Sequence, residues 1–286
     1  MKSLILFILT FIILMHCNSQ DTINRLSFFN SNNNCYGDYE AKILKVPYDS
    51  VFCMEFNGDL SINELLKYKK LKRLEIIKGN IPEKVNLLSD LVVLQCFSKS
   101  KLSKNIYLLK NLQVLYLYDV NCPVFPKEIL ELKQLNSILI YSIQNGGFPK
   151  DINKLKLLEY LEINFRNNDV YIPVELCLLS NLGTLSIGSE GFVKIPEDFT
   201  KLKKIINLAM EVNLNDSTTL NIISKMTWIK KLFITSNCLP TQLNKLSNLS
   251  FLTYISIQDI GKTPLDGDRI KSLLPNTKVD IFKFDE

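Results

Sequence analysis

One phrase, apolar-x-x-apolar-x-apolar, recurs ten times along the chain. It starts at Val51, Leu71, Leu91, Leu112, Leu135, Leu158, Leu182, Ile205, Ile229 and Leu252. The interval is 20 or 21 residues at first and 23 or 24 afterwards. A fixed period of this size is the mark of stacked coils, in which no unit can bury its apolar face alone and each packs only on its neighbours. The last copy has two possible starts, Leu249 and Leu252. The β-branched pairing that follows favours Leu252, with an extra half-turn before it.

The final two apolar residues of each phrase, such as Leu115 and Leu117 or Leu161 and Ile163, are two apart. That spacing puts both on one face of a short strand and turns the residues between them to the other face. A second phrase precedes the strands in the middle of the chain. Phe125-Pro126, Phe148-Pro149, Ile172-Pro173 and Ile195-Pro196 are each followed by apolar residues at steps of three, for example Ile129, Leu132 and Leu135. Steps of three suit a helical or 3-10 turn. Proline suits its start, because the residue before it is held extended and its own φ matches a first turn. The proline phrase lapses at Leu102-Ser103 and through 212–224. The expected unit is therefore strand, turn, short helical segment and return. Stacked units give an α/β solenoid with a parallel β-sheet on the concave face and short helical or 3-10 turns on the convex face.

Units reading L-x-x-L-x-L followed by I/F-P-x-x-I/L-x-x-L resemble leucine-rich repeat proteins of the exported bacterial type, over residues 51–259. Ile229–Leu239 matches the full family phrase, including Asn237. Elsewhere this Asn is mostly missing, its position holding Gly79, Lys99, Val120, Ile143, Arg166 or Glu190. The resemblance implies that this Asn bonds the backbone of adjacent coils, so its absence predicts a less regular ladder. It also implies a non-enzymatic role in binding a protein or other macromolecule.

The organisation expected around the repeats is a signal peptide at 1–20, a leader and cap at 21–50 and a C-terminal cap at 260–286. The cap contains a short helix to Leu274 and a strand from Val279. The run Leu4–Met15 is shorter than the ~20 residues that span a bilayer and fits the apolar region of a secretory signal. Two processing readings remain open. Leu14-Met15-His16-Cys17 resembles a lipoprotein box with Cys17 lipidated, although His16 stands where that box has a small residue. Cleavage near Ser19-Gln20 would instead release a soluble secreted chain. Either way the expected location is outside the cytoplasm, secreted or anchored at the cell envelope or outer membrane, with membrane attachment only through a lipid on Cys17. Export permits disulfides, and Cys35–Cys53 is the one pairing expected, closing the N-terminal cap.

Chemistry is hard to place on this sequence. The single histidine, His16, falls in the expected signal, which excludes Ser-His-Asp and Cys-His nucleophile systems. No two cysteines form a C-x-x-C pair, so no metal or other cofactor is expected. Gly261-Lys262-Thr263 resembles the end of a phosphate loop, but Ser256 stands where its first glycine is needed. Glu159 and Glu162 read better as solvated residues than as an acid/base pair. The net charge of +5 comes from 34 basic and 29 acidic residues that are intermixed, without the basic stripe of a nucleic-acid binder.

What remains is surface. The outward position after each unit's last apolar residue holds Ile77, Phe97, Tyr118 and Tyr141 in succession, then Asn164, Gly188, Glu211, Thr235 and Gln258. Tyr116, Leu139 and Tyr160 fall in neighbouring columns. Glu162 and Lys231, with Arg73 and Glu75, are expected as a polar rim. Outward positions of a solvated sheet are ordinarily polar, and contiguous exposed apolar area of more than a few hundred Å² marks interaction sites. A plainer reading is that aromatics suit strands and cover one another. The expectation is an exported, non-enzymatic protein that binds a partner through Phe97, Tyr116, Tyr118, Leu139, Tyr141, Tyr160 and Glu162. The alternatives are a structural lipoprotein of the envelope and a recognition subunit for a separate enzyme.

Overall fold

Strand follows strand at the interval of the apolar phrase. A computed structural model of the protein describes residues 35–166, 169–212, 216–236, 243–259 and 265–283. Cys17, Asn237 and Gly261-Lys262-Thr263 lie outside them. The described residues form two compact units, one of 35–146 with 154–163, the other of 147–153 with 164–283.

In the first unit six strands and the first four residues of a seventh lie side by side in chain order. They are β1 (Cys35–Gly37), β2 (Cys53–Phe56), β3 (Arg73–Ile76), β4 (Val93–Cys96), β5 (Val114–Leu117), β6 (Ser137–Ile143) and β7 (Tyr160–Phe165). β8 (Val170–Tyr171) and β10 (Val193–Lys194), both in the second unit, form a separate parallel pair. The main strands of that unit are β9 (Thr184–Gly188), β11 (Asn207–Glu211), β12 (Lys231–Ser236), β13 (Tyr254–Asp259) and β14 (Lys278–Lys283), again in chain order and parallel. This is the leucine-rich repeat solenoid that the spacing predicts.

Register explains why like residues recur. Leu74, Leu94, Leu115 and Ile138 stand opposite one another, as do Ile76, Cys96, Leu117 and Ile140. Leu185, Leu208, Leu232 and Ile255 do the same in the second unit. All twelve are fully buried. The start at Leu252 fits this frame, since Ile255 pairs with Leu232 and Ile257 with Ile234. Consecutive coils also share backbone bonds at the strand entrance. The Val93 N–H donates to Lys72 O (2.9 Å), Val114 to Val92 O (3.1 Å), Ser137 to Gln113 O (3.1 Å) and Tyr160 to Asn136 O (3.0 Å).

The steps of three in the proline phrase are the steps of a 3-10 turn. The Pro126, Pro149, Pro173 and Pro196 carbonyls accept from the N–H groups of Ile129, Ile152, Leu176 and Phe199 at 3.0–3.1 Å. Leu132 then donates to Ile129 O, and Leu135 to Leu132 O. Each i→i+3 bond returns the chain to the same side, which is why every third residue is apolar. Where proline lapses, other residues take over. Ser103 offers its carbonyl to Ile106 N–H (3.2 Å), and its Oγ accepts from Asn105 N–H (3.2 Å). Residues Ser217–Ser224 form an α-helix capped by Asp216, whose Oδ1 accepts from Thr218 N–H at 3.0 Å.

The missing Asn of the repeat is likewise compensated. Gly79 has φ +99°, a conformation that residues with a Cβ rarely adopt, and its carbonyl accepts from Ser98 Oγ at 2.5 Å. Glu83 O accepts from Ser103 Oγ (3.1 Å) and Asn105 Nδ2 (2.9 Å), and Ser89 O from Asn111 Nδ2 (3.0 Å). At the N-terminal end, Asp38 begins the helix Asp38–Ile43 and is fully buried. Its Oδ2 accepts from the N–H groups of Asp59 (2.6 Å) and Leu60 (3.1 Å), fastening the helix to the turn after β2. Buried donors left unmade are costly, so this one carboxylate fixes the end of the array.

Candidate binding face

Strand alternation turns one set of side chains away from the core. On β4 to β7 that outward set contains Val93, Val114 and Tyr160 at the strand entrance, Tyr116, Leu139 and Glu162 in mid-strand, and Phe97, Tyr118 and Tyr141 at the exit. All belong to the first unit. β5 shows why the sequence packs here. Val114–Leu117 is four apolar residues in a row and all four are buried, the pattern of a strand covered on both faces.

The exit residues make a ring ladder. Phe97 and Tyr118 stack with centroids 4.4 Å apart and planes 11° apart, and Tyr118 and Tyr141 follow at 5.6 Å and 30°. Neighbouring strands lie about 4.8 Å apart, so rings on successive strands meet almost face to face. Beneath the ladder, Val93, Val114, Tyr116 and Leu139 form one buried cluster, against which Tyr118 and Tyr141 pack. The Tyr116 hydroxyl is 3.0 Å from Ser137 Oγ.

Glu162 anchors the other end. Its Oε1 accepts from Tyr141 Oη at 2.5 Å and its Oε2 from Tyr160 Oη. Burial pushes the Glu162 carboxyl above the usual carboxylate range, while the two phenol bonds pull it back. Burial first, then the nearby carboxylate, raises the phenols of Tyr141 and Tyr160. Both therefore remain protonated donors. Among the described residues no basic group pairs with Glu162.

Exposure divides the expected site into two tiers. Phe97 is 39% exposed, Tyr118 and Tyr141 are half-buried, and Tyr116, Leu139, Tyr160 and Glu162 are buried. The expectation of a rim position for Glu162 is corrected: the residue is 3% exposed and is held by the two tyrosines. It is also not the solvated partner of Glu159, which is exposed on its own. Large side chains on adjacent strands are broader than the strand spacing and cover the shorter chain between them, as the plainer reading of the column allows. Arg73, on β3, is paired with Glu75, and its Nη2 donates to Gln95 Oε1 at 3.3 Å. Lys231 lies on β12 in the other unit. Ser137, Gln95 and Val93 were not singled out in the sequence, although β-branched Val93 and Val114 beside core leucines are the signal for them.

Among the described residues no group of three His, Cys, Asp or Glu side chains is placed to hold a metal ion, and no helix is long and apolar enough to cross a membrane. No protein-family model matches the sequence, and no curated protein matches it. Solved structures do. A leucine-rich repeat protein of Leptospira interrogans is similar at 24% identity and a TM-score of 0.58, over 82% of this chain and 62% of its own. The leucine-rich repeat ectodomain of the Arabidopsis receptor kinase HAESA, solved with a peptide hormone, matches at 17% identity and a TM-score of 0.58, over 87% of this chain and 44% of its own. An internalin from Listeria monocytogenes matches at 12% identity and 0.55, over 82% and 73%. The likeness is one of fold, and the chain spans less than two thirds of the Leptospira protein's length.

Proposed function

We propose that the chain is an exported, non-enzymatic leucine-rich repeat protein that captures a protein partner on the concave face of its sheet. The observation that carries this reading is the ring ladder Phe97–Tyr118–Tyr141, an aromatic strip with its outer end in solvent. Tyrosines backed by a rigid buried layer present large contact area at little entropic cost, the usual make-up of a binding hot spot. The receptor ectodomain bound to a peptide hormone makes a peptide or protein the favoured class of partner. The double variant Tyr118→Ala, Tyr141→Ala should weaken partner capture by at least tenfold, about 1.4 kcal/mol or more, with the far-UV circular dichroism unchanged. Unchanged capture by a folded double variant would place the partner elsewhere.

Export is supported by redox chemistry. Cys53 is disulfide-bonded, and β1 sets Cys35 directly opposite it in the register. Cα atoms of paired residues on adjacent strands lie about 5 Å apart, within the span of a disulfide. We propose Cys35 as the partner, so that peptide mapping without reductant should recover a Cys35–Cys53 pair. A map joining Cys53 to another cysteine would refute it. Cys96, Cys122 and Cys177 are free and buried. Burial pushes the Cys122 thiol up to about 11 and the Cys177 thiol up to about 12, so neither is a ready thiolate. In this reading the first 20 residues direct export, and a lipid on Cys17 would tether the same binding face to an envelope.

A further inference from the structure

We infer that the Tyr118–Tyr141–Tyr160–Glu162 cluster is the receptor for an arginine side chain presented by the partner. The inference rests on the proposed binding face and names the chemistry that face selects. Three observations carry it.

Glu162 is a buried carboxylate without a counter-cation among the described residues. No lysine or arginine occupies an outward position on β4 to β7, although the chain as a whole is basic. A carboxylate removed from water is sustained either by a charged partner or by hydrogen bonds that leave it hungry for one. Its acceptor capacity is half used. Tyr141 takes one lone pair on Oε1 and Tyr160 one on Oε2, which leaves one on each oxygen. Two adjacent acceptors on one carboxylate match the parallel N–H pair of a guanidinium better than the single point charge of an ammonium. The walls suit the same group. Tyr141, the last ring of the ladder, lies beside the carboxylate that its hydroxyl bonds, and a guanidinium plane stacks on such a ring. Because Glu162 is only 3% exposed, the ligand must be slender and carry its charge at the tip. Arginine has both properties.

The test uses the purified protein and three capped peptides, Gly-Gly-Arg-Gly-Gly and its lysine and citrulline counterparts, titrated against the tyrosine ring signals by NMR. The arginine peptide should bind at least tenfold more tightly than the citrulline peptide, which keeps the shape and loses the charge, and more tightly than the lysine peptide. Glu162→Gln should abolish that preference. Glu159→Gln, which removes an exposed carboxylate outside the cluster, should retain it, and an unchanged far-UV circular dichroism of Glu162→Gln tells loss of its charge apart from a general loss of packing. Equal binding of arginine and citrulline, persistence of the preference in Glu162→Gln, or absence of binding by any peptide would overturn the assignment. Should that happen while Tyr118→Ala, Tyr141→Ala still abolishes partner capture, the face stands and only its arginine selectivity falls.

Discussion

Leu115→Ala should lower the unfolding free energy by about 2–5 kcal/mol, read as a shift of the urea midpoint in far-UV circular dichroism. Leu115 is fully buried on β5, between Leu94 on one neighbour and Ile138 on the other. Truncation there removes contacts with two coils at once and opens a cavity that rigid strands cannot close. Leu157→Ala is the matched control. Leu157 is 44% exposed in a turn, and surface truncations of this kind cost about 0.5 kcal/mol or less. Similar losses in the two variants would mean that the strand leucines do not form the common core. The same comparison at Leu232, in the second unit, should repeat the result.

The second large effect is electrostatic. Glu211 is buried on β11 and accepts the Ser189 N–H at 3.0 Å. Burial pushes its carboxyl up to about 8, whereas an unfolded glutamate titrates near 4.3. Between these values the folded chain holds a proton that the unfolded chain has released. Stability therefore falls as pH rises from about 4.5 to about 8, and levels off above that. The sign is opposite to that of a salt-bridged carboxylate. Glu211→Gln keeps an acceptor for Ser189 and removes the ionisation. At pH 8 the variant should be more stable than the parent by a few kcal/mol, while near pH 5 the two should melt together. Thermal melts at the two pH values decide it, and a gap that does not widen with pH would refute the burial argument.

These effects differ in how readily the sequence discloses them. Leu115 is legible because a solenoid repeats one physical problem, and ten solutions at a steady interval leave no other period to choose. The 3-10 turns are legible for the same reason, since apolar residues at steps of three are the shadow of i→i+3 bonds. Period-two alternation, by contrast, tells which face a side chain takes and not whether that face is covered. Tyr116, Leu139 and Glu162 are read correctly as outward and incorrectly as open. The run Val114–Leu117 held the hint, being apolar at successive positions. Asp38 and Ser137 were illegible for another reason. Their bonds run to Leu60 and Tyr116, about one coil away in sequence, and no local pattern marks a polar residue for such a task. The helix Ser217–Ser224 occupies the place where the proline phrase lapses, so the lapse was visible and its replacement was not.

The shared bonds at the strand entrances have a consequence for how such a molecule changes over time. Each rung ties a residue to one roughly twenty positions earlier, as Tyr160 is tied to Asn136, so closing a rung costs the entropy of one short loop whatever the total chain length. Duplication or loss of a whole coil requires no distant contact to be rebuilt. Gene segments of that size can be gained or lost while the seam heals across its two new neighbours, and a single-residue slip, which turns every leucine outward, cannot.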